Sequence, residues 1–302
     1  MKVLIIGFGS IGKRHYEVLL ALPQVQAIDL VTKQNIEDKI CYKKLEVVDN
    51  LNQYDYFVIN SETNKHFEQL KFLEENVENK LIFCEKPLFE SKKLLEIKNN
   101  KVFVGYVLRF HPLLEKLKDM IEDEKILSLN AKCGQYLPSW RQNTDYRNCY
   151  SAKKDEGGGV LLDLSHEIDY VQWLSGQINE IKSYQVKISD LEINSDDLTM
   201  LIGHTSKNAI VNISIDYISK DTHRTLMVET LEHTYKLNFI SNELLKKNKI
   251  GLEEKYSFAN LKRNYIFEQM HLDIFEKQKN ACTFNEALEV MEVISKIQEQ
   301  NK

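Results

Sequence analysis

Apolar positions fall into two regimes along the 302-residue chain. In the first third, short and nearly continuous apolar runs alternate with stretches whose apolar residues recur at intervals of three and four. The runs are residues 2–6 (KVLII), Val25–Val31, Tyr54–Asn60 (YDYFVIN), Lys80–Cys84 (KLIFC) and Val102–Tyr106 (VFVGY). Runs of this length, rich in β-branched and aromatic residues, predict strands buried on both faces. Helices are predicted from Ile11 through His15, Val18 and Leu19 to Leu22, closed by Pro23, and again over Phe67–Leu73 and Ser91–Lys98. Strands alternating with helices imply βαβ units and a parallel sheet.

After residue 106 the pattern changes. Leu113–Ile121 reads as a helix and Ile126–Lys132 as a strand, whereas residues 134–158 have no period. A helical pattern returns over Val160–Leu174. Five alternating runs follow: Ile181–Ser189, Leu198–His204, Ala209–Tyr217, Arg224–Thr230 and Thr234–Phe239. Joined by short polar turns, they predict a mostly antiparallel sheet. The tail is helical over Tyr265–Gln278 and Phe284–Gln300. The expected class is α/β, with a parallel-sheet domain over residues 1–106. An α+β domain with a large, open, mostly antiparallel sheet is expected over residues 107–302.

Composition narrows the partners. A net charge of -5 favours neither nucleic acid nor an anionic membrane. No run approaches the length of a membrane-spanning helix. The apolar N-terminus ends at glycines, which suits a strand and turn better than a secretion signal. The five cysteines are odd in number and form no Cys-x-x-Cys pair, so a reducing cytoplasm is expected. No histidine spacing suggests a metal site. Arginine is scarce, and four of the six lie at Arg14, Arg109, Arg141 and Arg147. A chain that otherwise uses lysine keeps arginine where a planar, bidentate donor is needed.

Candidate chemistry begins at Gly7-Phe8-Gly9-Ser10-Ile11-Gly12. This GxGxxG follows a predicted strand and opens a predicted helix, the context that a dinucleotide-binding turn requires. The first glycine makes the turn, the second admits a pyrophosphate and the third lets helix pack on strand. About twenty residues on, Thr32 and Lys33 occupy the place that separates NAD from NADP and lean towards NADP(H), with Asp29 too early to bind the ribose. Glu85-Lys86-Pro87 closes a buried strand at the end of the sheet where ligands bind, and Pro87 is a candidate cis proline.

These motifs together resemble the glucose–fructose oxidoreductase / inositol dehydrogenase / rhizopine-catabolism (Gfo/Idh/MocA) family. The glycine turn leads into Arg14-His15, as in the family's opening. Asn60–His66 stands at the family's strand-end loop, placing Asn60, Ser61 and His66 near the cofactor, although the usual Thr-Pro of that loop is absent. Glu85-Lys86-Pro87 matches the family's EKP signature, and Gly157–Asp169 (GGGVLLDLSHEID) its glycine-led helix with an Asp and a His. The family spaces that Asp and His four apart. Here Asp163 and His166 are three apart, a spacing that still shares one helix face. Residues 105–112 resemble the family's entry to its second domain. Leu137–Tyr150 resembles a subgroup associated with surface-polysaccharide sugars.

The resemblance implies an N-terminal Rossmann domain and a C-terminal domain for substrate binding and oligomerisation. It implies hydride transfer between NAD or NADP and a sugar or nucleotide-sugar carbon. His166 suits the acid/base role and Lys86 the polarising one, while Asp163 or Asp169 orients the imidazole or binds a sugar hydroxyl. Arg109, Trp140, Arg141, Tyr146 and Arg147 are substrate-specificity candidates. The glycines at 157–159 are expected to let backbone approach cofactor or substrate. A homo-oligomer, dimer or tetramer, is expected. Two other readings share these residues: a sugar lyase or glycosidase that recycles its NAD internally, and a non-catalytic nicotinamide-binding regulator.

Overall fold

Residues 1–140 and 144–301 are described by the structure, a computed structural model. The first six strands and two helices follow the predicted alternation, except that the two-residue β3 was not predicted. They are β1 (Lys2–Ile6), α1 (Ser10–Leu20), β2 (Ala27–Val31), β3 (Cys41–Tyr42), β4 (Tyr56–Ile59), α2 (Thr63–Asn76), β5 (Leu81–Cys84) and β6 (Lys101–Val104). All pair in parallel in the order β6-β5-β4-β1-β2-β3. Their apolar runs are buried because the sheet is covered on both faces.

Ser91–Lys98 is not a helix. The backbone N–H groups of Lys98 and Asn99 donate to the buried Glu74 carboxylate, each at 2.7 Å, rather than to carbonyls one turn back. Leu94, which would have lain on the apolar face, is 86% exposed.

The chain continues through α3 (Pro112–Ile121), β7 (Ile126–Gly134), α4 (Val160–Asp163), α5 (His166–Ser175), β8 (Ile178–Val186), β9 (Leu198–Thr205), β10 (Ile210–Asp216), β11 (His223–Thr230), β12 (His233–Asn238), β13 (Glu243–Asn248) and β14 (Glu253–Ser257). The eight strands form one sheet in the order β14-β13-β12-β11-β7-β10-β9-β8. Only β7 and β10 run parallel; the rest are antiparallel, as the alternation predicts. Helices α3, α4 and α5 pack on one face. The β13–β14 hairpin was not among the expected strands; its lysines and glutamates pair across the ladder and hide the alternation.

The predicted helix over Val160–Leu174 is two helices. Ser165 Oγ donates to Leu162 O at 3.0 Å, occupying the carbonyl that the next helical N–H would use. Leu164 sits at φ -103°, ψ 30°, outside the helical region.

The tail forms α6 (Tyr265–Phe275), β15 (Cys282–Thr283) and α7 (Phe284–Gln300). Two compact units result: Met1–Phe110 with Lys262–Leu288, and His111–Leu261 with Glu289–Lys302. The sequence division placed every residue after 106 in the second domain. Instead, α6 returns to the first unit because Phe267, Met270 and Ile274 join its core with Val3, Val58 and Phe83. There β15 pairs antiparallel with β6.

Candidate cofactor and active-site elements

Strand order in the first unit reverses at β1, between β2 and β4, so the carboxyl ends of β1 and β4 flank a topological switch point. Gly7 follows β1 at φ +93°, and a Cβ there would lie 2.7 Å from Asn60 C and Ser61 N. A Cβ on Gly12 would lie 2.3 Å from Gly7 O. Glycine alone lets the β4 loop and α1 close on this turn. Gly9 faces open space. Helix α1 begins with neither a side-chain cap nor an acidic first turn. Its first amides, at Ser10, Ile11 and Gly12, therefore suit an anion. The Phe8 ring is in the core, leaving only backbone at the turn. Asn60 is buried beside Gly7, and neither its Oδ1 nor its Nδ2 has a hydrogen-bond partner among the described residues. A buried amide without partners next to a free helix N-terminus fits a dinucleotide.

At the end of β2, Thr32 is buried and accepts from Gln34 N at 3.1 Å, while Lys33 is exposed. Asp29 is held inside the strand. Its carboxylate accepts from Tyr54 OH at 2.7 Å and Lys2 Nζ at 2.9 Å. Burial and this carboxylate push the Tyr54 phenol up.

Glu85 and Lys86 follow β5, and the Lys86–Pro87 peptide is cis. Glu85 is committed internally: one oxygen meets His15 Nε2 at 2.8 Å and the other accepts Lys86 N–H at 3.0 Å. His66 is buried, with each ring nitrogen beside a backbone carbonyl and one of them donating. It bridges Ser61 O at 3.1 Å and Pro87 O at 3.1 Å, joining the loops after β4 and β5. Burial lowers its pKa.

In the second unit, Asp163 ends α4 and His166 begins α5, so the helix-face argument for their spacing does not apply. Asp163 is buried and accepts from Tyr217 OH at 2.5 Å. His166 is half-buried, whereas Asp169 is fully buried and presents no exposed atom to a substrate. The neighbouring Glu167, also fully buried, pairs with Arg224 at 2.8 Å and ties α5 to β11. The glycine lead-in serves the protein itself. A Cβ on Gly159 would lie 2.2 Å from Asp196 Oδ1, and that carboxylate caps α4 through Leu161 N at 2.9 Å.

The specificity candidates separate. Arg109 is buried and paired with Glu286 at 2.8 Å, and Glu286 also accepts Thr283 N–H at the start of α7. That arrangement is a capping box, so Arg109 is not free for a substrate. Trp140 packs edge-on against Tyr217, with ring centroids 5.3 Å apart. Tyr146 OH accepts from Glu192 N at 3.2 Å, and exposed Arg147 pairs with Asp145 and Glu192 at 2.8 Å each. Arg141 lies outside the described residues. Tyr217 and His271, which contacts His15, carry no local motif and were missed; only long-range packing brings them in.

A profile of the GFO/IDH/MocA oxidoreductase family's NAD-binding Rossmann fold matches residues 1–106. A profile of the GFO/IDH/MocA C-terminal domain matches residues 114–232. No curated protein sequence matches the chain. Among solved structures, levoglucosan dehydrogenase in complex with NADH has a TM-score of 0.85 at 15% identity, covering 99% of this chain and 96% of that one. The WlbA dehydrogenase from Bordetella pertussis, in complex with NADH and UDP-GlcNAcA, has a TM-score of 0.77 at 14% identity, covering 99% and 95%. A super-repressor mutant of Gal80p from Saccharomyces cerevisiae has a TM-score of 0.83 at 16% identity, covering 100% and 95%. At these identities the likeness shows the fold.

Proposed function

The chain belongs to the Gfo/Idh/MocA family of NAD-binding oxidoreductases, and from that premise we propose that it exchanges a hydride with a hydroxyl-bearing carbon of a sugar or nucleotide sugar. The buried, unpartnered Asn60 amide beside the glycine turn carries the cofactor half of this reading. The turn, the first amides of α1 and Asn60 would hold the dinucleotide. A bound nicotinamide supplies the hydride acceptor or donor. Thr32 and Lys33 at the end of β2 support NADP(H), with Asp29 locked away from any ribose.

The chain's own groups handle the oxygen and its proton. The Lys86 ammonium donates to the reacting oxygen and stabilises negative charge as it develops. The His166 imidazole takes the hydroxyl proton on oxidation and returns it on reduction. Asp163, held by Tyr217, positions the imidazole. Trp140, Tyr146, Arg141 and Arg147 remain the groups assigned to sugar and phosphate recognition. A levoglucosan dehydrogenase and a UDP-GlcNAcA-bound dehydrogenase of the same fold support that substrate class. A reducing cytoplasm suits the five free thiols.

The outer face of the second sheet supports a homo-oligomer. Cross-strand partners Tyr184 and Met200 are 73% and 46% exposed, beside Ile202 at 60%. A second reading, a non-catalytic nicotinamide-binding regulator, draws on the likeness to Gal80p. Turnover separates the two. Steady reduction of NAD(P)+ by a panel of sugars and nucleotide sugars, or oxidation of NAD(P)H by their keto forms, is expected, and it should be lost in Lys86→Ala while cofactor binding persists. A Lys86→Ala variant retaining the wild-type rate contradicts the mechanism.

A further inference from the structure

The first unit buries a line of hydrogen bonds that ends at the Glu85-Lys86 motif. Tyr56 OH on β4 lies 2.9 Å from His271 Nδ1 on α6. His271 Nε2 lies 2.8 Å from His15 Nδ1 on α1. His15 Nε2 lies 2.8 Å from Glu85 Oε1, and Glu85 Oε2 accepts the Lys86 N–H. Tyr56, His15 and His271 are completely buried among Phe83, Phe267 and Phe275.

Donor and acceptor chemistry sets the direction. A carboxylate only accepts, so His15 presents Nε2–H to Glu85. A neutral imidazole has one donor and one acceptor, so His15 Nδ1 accepts from His271 Nε2–H. His271 Nδ1 then accepts from the Tyr56 hydroxyl. In this arrangement every group in the line has a partner. Burial holds the His271 pKa well below the ordinary histidine value and keeps its ring neutral. An apolar residue at 271 would fill the same space without desolvating two nitrogens, so the polar ring marks a requirement for direction rather than volume.

We propose that His271 is a positioning residue for the Glu85-Lys86 motif: it fixes the tautomer of His15, and thereby the carboxylate that holds the Lys86 backbone. The assignment rests on Lys86 being the polarising group of the proposed function. It places a residue of the C-terminal segment in control of a loop 185 positions earlier in the chain.

The test uses the full-length protein without ligand and two variants. Long-range 1H–15N spectra of the imidazoles at pH 7.5 should show His15 and His271 neutral, each as the Nε2–H tautomer. His271→Phe keeps the ring and removes both nitrogens. It should release His15 into mixed tautomers and raise the Kd for NADH or NADPH, whichever the wild type binds, at least tenfold. His271→Gln retains a donor towards His15 and should keep both properties within about threefold of wild type. A wild-type His15 or His271 that is doubly protonated, or an Nδ1–H tautomer at either, overturns the proposal. So does a His271→Phe variant with unchanged His15 signals and unchanged Kd. Wild-type protein that binds neither nucleotide overturns the functional reading instead, and the spectra still decide the tautomers.

Discussion

Tyr217 donates its hydroxyl to the Asp163 carboxylate at 2.5 Å, tying the end of α4 to the residue that follows β10. Both side chains are buried, where a hydrogen bond to a carboxylate is worth more than at the surface. Burial and the adjacent charge push the Tyr217 phenol well above its usual range, keeping it a donor. Hydrogen bonds to charged groups contribute about 1.5–3 kcal/mol. Tyr217→Phe is therefore expected to lower the unfolding free energy by that amount, which lowers the urea midpoint with the slope unchanged. An unaltered midpoint would show that the bond contributes nothing to the fold.

Asn60 predicts the opposite balance of effects. Its amide has no hydrogen-bond partner among the described residues, so removing it breaks none of the hydrogen bonds they make. Asn60→Ala should leave the melting temperature of the unliganded protein unchanged or higher. It should weaken nicotinamide nucleotide binding about 5- to 30-fold, the value of one to two hydrogen bonds. Loss of stability with unchanged affinity would assign Asn60 to the core instead.

Stability should fall in mild acid. Burial lowers the pKa values of His66, His111 and His271 in the folded state. The unfolded chain takes up these protons below about pH 6.5, where the folded protein still refuses them. Their contribution is complete above that pH and is lost as the pH drops towards the folded values, by up to about 1.4 kcal/mol per pH unit for each ring. Glu124 and Glu286, whose pKa values are lowered, act only nearer the usual carboxylate range. Urea midpoints at pH 7.5, 6.5 and 5.5 should decline below 6.5. A midpoint that is flat or rises towards pH 5.5 would contradict the burial of these rings as neutral groups.

The open sheet face predicts association. Ile202 lies between Lys182 and Asn212 on neighbouring strands, next to the Tyr184–Met200 pair. Ile202→Glu places a charge beside the exposed Tyr184–Met200 pair, at a side chain that faces solvent. Light scattering should show wild-type dimers or tetramers and a smaller species for the variant, with the same melting temperature per unit folded. A wild-type monomer removes the proposed oligomer.

Much of this was legible locally. The β1 turn and α1 occupy one short stretch in which Gly12 answers to Gly7 and Gly7 to the β4 loop. The antiparallel sheet followed from simple alternation. What escaped was decided at long range. Ser91–Lys98 has helical spacing, but Glu74 on α2 takes the amides of Lys98 and Asn99 at its end. The break before α5 carries no Gly or Pro; it arises from the Ser165 hydroxyl, which also reads as an ordinary helix residue. Arg109 resembled an anion receptor until Glu286, 177 residues later, occupied it. His271 sits in an amphipathic tail helix, and its sequence neighbourhood says nothing about His15.

The central claim is that this chain binds a nicotinamide dinucleotide on the Gly7–Gly12 turn and uses it for hydride exchange. The most direct measurement is a titration of the purified protein with NADH and with NADPH, following nicotinamide fluorescence. Saturable binding is expected, tighter for NADPH given Thr32 and Lys33, and abolished in Gly12→Val, whose side chain would collide with Gly7 O. Wild-type protein with no saturable change for either nucleotide would contradict the account.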